Sequence, residues 1–419
     1  RQGGPGIRDR IHGIMNRDKQ CLANPVAQSV HAAACDYRLQ RVRDQLTQAG
    51  CDAILLYDPV NIRYATDTSN MQVWTMHNAA RYALVFAQGP VLLWEFHNCA
   101  HLHDGNRQVD EIRDAINWSH FGAGSRASER ARAWADELGA ELRRRCESRP
   151  TLAVDTAAHH GVQLLQDAGI AIREGESLME SARVIKSDSE LELMRWTMCV
   201  CEAGVQRMFD ELEPGMSEQE LWSWLHYENV RHGGEWIETR LLVSGPRTNP
   251  WMREASDRVM QEGELVCFDT DLIGPYGYCA DISRAWTVGN CPPTAAQREL
   301  YRYAFEQLQV NSELLKPGAS YREISERAWP IPARFYANRY SFLMHGVGMG
   351  DEYPGIVHWG EDWEATGSDG VIEPNMVISV ESYIGEVGGD QGVKLEQQFW
   401  IDDAGAQPMT EQFWNDDWL

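Results

Sequence analysis

The chain has 419 residues, 43% of them hydrophobic, which predicts a globular protein with more than one core and therefore two domains. Its formal net charge of −24 disfavours nucleic acid and anionic membranes as partners, because binding phosphate requires a basic face. The sequence has no run of about twenty apolar residues and no apolar leader, so we expect a soluble, cytoplasmic protein.

The first 178 residues predict an N-terminal extension followed by a small α/β domain. Residues 1–36 mix charge with Gly and Pro, which is typical of an extension. In residues 37–178, helical spacing at 38–49 and 128–145 alternates with strand-like runs at 53–57 and 152–155. Residues 82–96 predict a β-hairpin that turns at Gly89-Pro90. No catalytic motif stands in this domain.

Residues 179–419 predict a larger domain made of two similar halves. Ser187 and Glu190 form a capping box at the start of a long helix, and Ser217 with Glu220 starts a second helix. A weaker copy follows, with a helix at 300–315, a Pro-Gly turn and a new helix near Ser320. Strands follow each helix pair, so we expect two pseudo-repeats around a shared central site.

Acidic residues stand inside the strands of the first repeat. Asp269 and Asp271 lie two apart, so on one strand their side chains would share a face, and Asp281 follows on the returning strand. Carboxylates among apolar and β-branched residues are costly unless a positive group holds them. A divalent cation does this best, and we therefore predict a metal site.

The second repeat carries Glu381 and Glu396 in the same relation, and His345 lies in a glycine-rich run before them. The alternative is that these carboxylates face solvent on edge strands or form ordinary ion pairs with Arg284 and Lys394. The repeated setting favours the metal site over this alternative.

In chain order these residues resemble the ligand series of the creatinase/methionine aminopeptidase, or pita-bread, superfamily. The motifs are Gly-Tyr-x-x-Asp-Ile-x-Arg ending at Arg284, His-Gly-x-Gly from His345, Val-x-Glu at Glu381 and a last glutamate, Glu396, and the resemblance spans about residues 181–402. It implies an α+β protein: a pita-bread domain with pseudo-two-fold repeats, preceded by a smaller α/β domain. It also implies a homodimer.

By position, the resemblance implies that Asp281, His345, Glu381 and Glu396 bind metal together with a first-strand aspartate. The spacing to Asp281 is ten residues from Asp271 and twelve from Asp269, and neither is the family's spacing, so we nominate both. One histidine among carboxylates suits iron, manganese, cobalt or zinc. We expect one or two divalent ions, with iron as the first choice.

Two positions differ from the peptidases of this superfamily, which have histidines there. Trp251 stands after the Ser-Gly-Pro segment, and Asp351 stands after His-Gly-x-Gly. Positioned acid and base groups contribute about 10²–10⁴-fold each to the rate, so their loss argues against peptide hydrolysis.

The retained ligands, Asp351 and the aromatic segment 338–342 resemble the DddP-type dimethylsulfoniopropionate lyases. This resemblance implies β-elimination of a small zwitterionic sulfonium substrate to dimethyl sulfide and acrylate, with the metal on the substrate carboxylate and Asp351 as general base. Trp251 and Tyr340 would hold the sulfonium through cation–π contacts. Trp74 lies in a stretch similar to the N-domain segment that reaches a partner subunit's site, and it would form a wall of the pocket.

Other hypotheses remain open at this point. One is a Xaa-Pro aminopeptidase or dipeptidase with an unconventional proton shuttle, and another is a non-catalytic pita-bread binding module. For single residues, Trp251 and Tyr340 could be ordinary packing residues, and Asp351 could be a helix cap or a loop residue.

Overall fold

The computed structural model describes residues 22–146, 149–289 and 291–419. The chain divides into a smaller compact unit, residues 29–183, and a larger one, which contains residues 184–419 and the described residues before Ser29. The sequence placed the division between residues 178 and 179, whereas the structure divides the chain where the helix Glu176–Arg183 ends.

The smaller unit is built on a six-stranded mixed sheet. Its strands are β1 (Ala53–Leu56), β2 (Tyr82–Phe86), β3 (Val91–Glu95), β4 (Glu111–Asp114), β5 (Thr151–Val154) and β6 (Ala171–Glu174), in the order β4-β3-β2-β1-β5-β6. Its helices are α1 (Gln28–Ala49), α2 (Pro59–Thr66), α3 (Gln72–Thr75), α4 (His120–Ala123), α5 (Ala127–Arg145), α6 (His159–Asp167) and α7 (Glu176–Arg183).

The predicted hairpin of this unit is confirmed. Strands β2 and β3 pair antiparallel and turn at Gly89, whose φ of 148° is accessible to glycine. Helix α1 begins at Gln28, inside the segment that the sequence assigned to an extension. Arg38, buried on this helix, donates a 2.8 Å bond to Asp67 at the end of α2, and this bond ties α1 to the unit.

The larger unit contains one large and one small sheet. Its strands are β7 (Trp236–Ile237), β8 (Leu242–Ser244), β9 (Leu265–Asp269), β10 (Leu272–Ile273), β11 (Cys279–Ala280), β12 (Ser283–Thr287), β13 (Phe342–Val347), β14 (Asp351–Val357), β15 (Val377–Gly385), β16 (Gly392–Asp402) and β17 (Gly405–Pro408). The eight-stranded sheet has the order β14-β13-β15-β16-β12-β9-β8, with β17 beside β16, and β11-β10-β7 form the small sheet.

The helices of this unit lie before and between its strands. They are α8 (Asp188–Glu211), α9 (Glu218–Arg231), α10 (Ala295–Ser312), α11 (Tyr321–Arg327), α12 (Ala333–Tyr336) and α13 (Glu361–Thr366). The capping boxes predicted for α8 and α9 are both present. Helix α10 begins earlier than predicted, because Thr294 and Gln297 form a capping box that the apolar pattern did not reveal.

The α+β class, the smaller α/β domain and the two repeats are confirmed. Helices α8 and α9 lead into strands β7 to β12, and α10 and α11 lead into β13 to β16. The strands of both halves join in the large sheet, since β12 of the first half pairs with β16 of the second. No helix in the described part of the chain combines the length and apolarity needed to span a membrane.

Candidate metal centre

The register of the large sheet brings the predicted acidic residues together. Glu381 on β15 and Glu396 on β16 are direct Cα partners, so their side chains leave the same face. Ser283 on β12 pairs with Glu396 on one side and with Asp269 on the other. His345 lies on β13, the other neighbour of β15. Residues distant in sequence therefore occupy consecutive strands.

The three aspartates converge by a route that differs from the predicted one. Asp269 and Asp271 do not share a regular strand, because β9 ends at Asp269 and Asp271 adopts a left-handed conformation with a φ of 35°. Asp281 lies between β11 and β12. Ligand oxygens of Asp269, Asp271 and Asp281 nevertheless lie within 4.8 Å of one another. The left-handed residue turns the chain so that the carboxylates meet.

His345 presents one ring nitrogen to this cluster. Its Nδ1 donates a 3.0 Å bond to the carbonyl oxygen of Gly346, and its Nε2 lies 3.4 Å from Oε1 of both Glu381 and Glu396. A histidine ligand commonly uses its second nitrogen in this way to fix the ring. Burial by itself lowers the pKa of His345, but Asp351, Glu381 and Glu396 outweigh it and raise the pKa well above its ordinary value.

Three buried carboxylate oxygens in the cluster have no hydrogen-bond partner among the described residues: Asp269 Oδ1, Asp281 Oδ1 and Glu396 Oε1. The pKa values of Asp269 and Asp281 are raised well above the ordinary value for aspartate. Burial is the larger cause, and repulsion from Glu396 is the second. Orphaned, crowded anions of this kind are costly without a cation.

The residues present therefore fit a divalent metal ion. Asp281, His345 and Glu396 form one group of ligand atoms within 4.8 Å of one another, and the aspartate group shares Asp281 with it. A set of carboxylate oxygens with one imidazole suits a first-row divalent ion.

Lys394 also lies in this cluster, and the sequence had named it only as an ion-pair partner in the alternative hypothesis. Its Nζ lies 2.6 Å from Glu381 Oε2, 2.9 Å from Glu396 Oε2 and 3.1 Å from Asp269 Oδ2. The signal in the sequence was its position two residues before Glu396, which places both side chains on one face of β16. Arg284 differs, because its hydrogen bonds go to backbone carbonyls and to an amide oxygen.

The surroundings shift the pKa values of Glu381 and Glu396 in opposite directions. Burial by itself raises the pKa of Glu396, but Lys394 and His345 outweigh it and hold this pKa well below its ordinary value. For Glu381, burial and repulsion from Glu396 raise the pKa despite Lys394. The single ammonium thus keeps Glu396 anionic, while the other carboxylates still require positive charge.

Asp351 lies at the edge of the cluster, at the start of β14 opposite Val347. Its Oδ1 is 3.8 Å from His345 Nδ1, and its side chain remains 47% exposed. Burial of part of the carboxylate raises the pKa of Asp351, His345 opposes this and Glu396 adds to it. Because the side chain is nearly half exposed, solvent screens much of this effect.

Two of the three predicted aromatic residues face Lys394. Its Nζ lies 4.8 Å from the ring centroid of Tyr340 and 5.9 Å from that of Trp251. Trp251 is 7% exposed and packs with Tyr383 in the core of the larger unit. Trp74 belongs to the smaller unit, where its ring lies 5.6 Å from that of Phe96.

The chain matches two family models and several known proteins. The model of metallopeptidase family M24 matches residues 192–403, and that of the creatinase/prolidase N-terminal domain matches residues 38–185. The chain is 42% identical over 386 residues to the dimethylsulfoniopropionate lyase DddP of Roseovarius nubinhibens, covering 89% of this chain and 86% of the relative. It is 40% identical over 385 residues to the enzyme of the same name from Roseobacter denitrificans, covering 91% and 86%.

A solved structure with the same fold is the Xaa-Pro dipeptidase from Bacillus anthracis. The TM-score is 0.72 at 22% identity, and the match covers 90% of this chain and 98% of that chain. At this identity the likeness shows the fold alone.

Proposed function

The chain belongs to metallopeptidase family M24, and on that premise we infer that it is a dimethylsulfoniopropionate lyase. The observation that carries this conclusion is the 40–42% identity to DddP enzymes over about nine tenths of the chain. The reaction is a β-elimination. A proton leaves the carbon next to the carboxylate, a carbon–carbon double bond forms, and the carbon–sulfur bond breaks with its electron pair going to sulfur. The products are dimethyl sulfide and acrylate.

The reaction requires a divalent metal ion, and we propose iron first, with zinc, manganese or cobalt as alternatives. The proposed ligands are Asp269, Asp271, Asp281, His345, Glu381 and Glu396. When bound, the ion would neutralise the substrate carboxylate and the negative charge that builds on the adjacent carbon.

Asp351 is the proposed general base. Its carboxylate lies on the Nδ1 side of His345, whereas Asp281, Glu381 and Glu396 face Nε2, so it is available to accept a proton. It is also partly exposed, which allows a substrate to reach it from solvent.

The sulfonium group of the substrate requires an aromatic surface. We propose that Trp251, Tyr340 and Trp74 form it. Tyr340 is the better placed of the first two, because it keeps exposed surface while Trp251 is buried. Both rings already face the ammonium of Lys394. Cation–π attraction, about 0.5–2 kcal/mol, weakens as sulfur loses its charge, so these rings serve binding more than rate.

A homodimer is supported by exposed apolar side chains on the smaller unit. Val73 is 56% exposed and Met76 44%, and they flank Trp74, whose ring lies 6.3 Å from that of Phe121, itself 78% exposed. Such a patch is typical of an interface. Sedimentation should therefore give a dimer that Phe121→Asp dissociates, whereas Phe209→Asp, on the larger unit, leaves it intact. A wild-type monomer would contradict this.

The function is tested by offering two substrates in parallel. Iron-loaded protein is incubated with dimethylsulfoniopropionate and, separately, with Xaa-Pro dipeptides, and headspace dimethyl sulfide and released amine are measured. We expect dimethyl sulfide and acrylate in equal amounts and no amine. Amine release without dimethyl sulfide would establish a peptidase.

Elemental analysis of the purified protein accompanies this assay. The lyase requires bound metal, whereas a non-catalytic binding module does not. A protein without metal affinity and without turnover would therefore favour the binding module. Reconstitution with iron, zinc, manganese or cobalt in turn would identify the ion that supports the highest kcat.

A further inference from the structure

Lys394 contacts three acidic residues of the cluster, although none of the ligand motifs includes it. Its side chain is fully buried, and Nζ contacts Oε2 of Glu381, Oε2 of Glu396 and Oδ2 of Asp269 at 2.6, 2.9 and 3.1 Å. A fourth contact, 2.7 Å, goes to the hydroxyl of Ser283. One ammonium therefore meets three acidic side chains and a hydroxyl.

The oxygens of these side chains fall into two sets. Those that contact Lys394 are Oδ2 of Asp269 and the Oε2 atoms of Glu381 and Glu396. Of the opposite oxygens, Asp269 Oδ1 and Glu396 Oε1 have no hydrogen-bond partner in the described part of the chain. The third is Glu381 Oε1, and it faces His345 Nε2 at 3.4 Å, the same distance at which Glu396 Oε1 faces that nitrogen. Because a carboxylate is planar and rigid, holding one oxygen fixes the direction of the other.

We propose that Lys394 is a positioning residue of the metal centre, which holds the outer oxygens of Asp269, Glu381 and Glu396 so that their inner oxygens point to the metal. This inference rests on the metal site of the proposed function. Groups that hydrogen-bond to metal-binding carboxylates commonly set metal affinity in this way.

Contacts with Ser283 and with two aromatic rings hold the Lys394 ammonium in position. Ser283 Oγ bridges it to Glu396, with contacts of 2.7 Å to Lys394 Nζ and 3.0 Å to Glu396 Oε2. Ser283 is itself held by the sheet, because it is the Cα partner of both Glu396 and Asp269. The ring centroids of Tyr340 and Trp251 also lie near the ammonium, at 4.8 and 5.9 Å from Nζ. These contacts leave Lys394 little freedom to follow a displaced carboxylate.

A simpler role for Lys394 would be a counter-charge, and the two roles predict opposite signs. If Lys394 only neutralised negative charge, its removal would make the site more negative and tighten the binding of a divalent cation. If it positions the carboxylates, its removal lets them rotate and weakens binding. Metal affinity therefore separates the roles without any measurement of turnover.

The experiment measures Zn²⁺ affinity of the metal-stripped protein by competition with a chromophoric chelator. Lys394→Met keeps the approximate length of the side chain and removes its donors, and we expect an affinity loss of about 10–100-fold. Ser283→Ala keeps the charge but removes the bridging hydroxyl, and it should weaken binding in the same direction by a smaller factor. Lys186→Met is the matched control, since Lys186 is also buried but pairs with Glu352. Its Zn²⁺ affinity should equal that of wild type.

The outcomes separate this inference from the function on which it rests. Unchanged or tighter Zn²⁺ binding in Lys394→Met would overturn the positioning role. If that variant does not fold, Ser283→Ala decides alone, and an affinity equal to wild type would reject the role. Wild-type protein that binds Zn²⁺ but never releases dimethyl sulfide would overturn the proposed function instead. Wild-type protein that binds neither Zn²⁺ nor iron would overturn both.

Discussion

Replacement of Asp351 by asparagine separates proton transfer from metal binding. The substitution keeps the shape of the side chain and removes its ability to accept a proton as an anion. The oxygens of Asp351 do not belong to either group of ligand atoms, although Oδ1 lies 3.8 Å from Nδ1 of His345. We therefore expect Asp351→Asn to keep its metal and to lose turnover.

The size of the loss follows from the exposure of Asp351. A positioned general base contributes about 10²–10⁴-fold to a rate. Because the Asp351 side chain is 47% exposed, water can partly replace it, and the lower part of that range applies. We expect kcat to fall about 10²–10³-fold, which corresponds to about 3–4 kcal/mol of activation free energy at about 1.4 kcal/mol per factor of ten.

The assay follows dimethyl sulfide release at saturating substrate, with metal content and Tm measured on the same preparation. Glu352→Gln, at the next position on β14, is the control. The Glu352 side chain is 1% exposed and pairs with Lys186, and breaking a buried pair costs about 3–5 kcal/mol of unfolding free energy. Asp351→Asn should therefore lose kcat at an unchanged Tm, whereas Glu352→Gln should lose Tm.

Two results would refute the reasoning. Asp351→Asn with kcat within about tenfold of wild type would exclude Asp351 as the base, since that loss is below the range for a positioned base. Asp351→Asn without metal would instead make Asp351 part of the metal centre.

Three further predictions concern the centre and the smaller unit. Asp281→Asn should abolish metal binding in elemental analysis, because Asp281 belongs to both groups of ligand atoms; a variant with full metal content would contradict this. Gly346→Ala should lower Tm by an amount equivalent to about 1–3 kcal/mol, because the added Cβ would clash with the carbonyl oxygen of Tyr353 on β14. An unchanged Tm would show that the strands separate freely. In the smaller unit, burial by itself raises the pKa of Glu95. The hydrogen bond with His103 and the charge of Arg81 outweigh burial and lower this pKa from 4.5 to about 2. The ionised Glu95 therefore stabilises the fold fully above pH 4.5, and this contribution is lost as the pH falls towards 2. Unfolding titrations should show a loss of about 3 kcal/mol of unfolding free energy over that range, and Glu95→Gln should remove this pH dependence.

Local patterns were sufficient for much of the fold. The capping boxes at Ser187 and Ser217 act within one helical turn, and the turn at Gly89-Pro90 acts within one hairpin, so the sequence alone predicted them. The capping box at Thr294 was equally local, but it precedes the apolar pattern and was missed. Strand breaks were harder to predict. Nothing in the alternation around Asp271 indicates that the strand ends at Asp269.

For the site, the sequence by itself determined which residue types gather and in what order, because the strands carry acidic residues where burial is costly without a cation. It predicted Asp281, His345, Glu381 and Glu396 as ligands without showing their distances. Only the tertiary structure decided what Lys394 does. Lys394 and Ser283, 111 residues apart in sequence, lie 2.7 Å apart because β12 and β16 are neighbours. Strand register, a property of the whole sheet, thus directs the ammonium between the carboxylates.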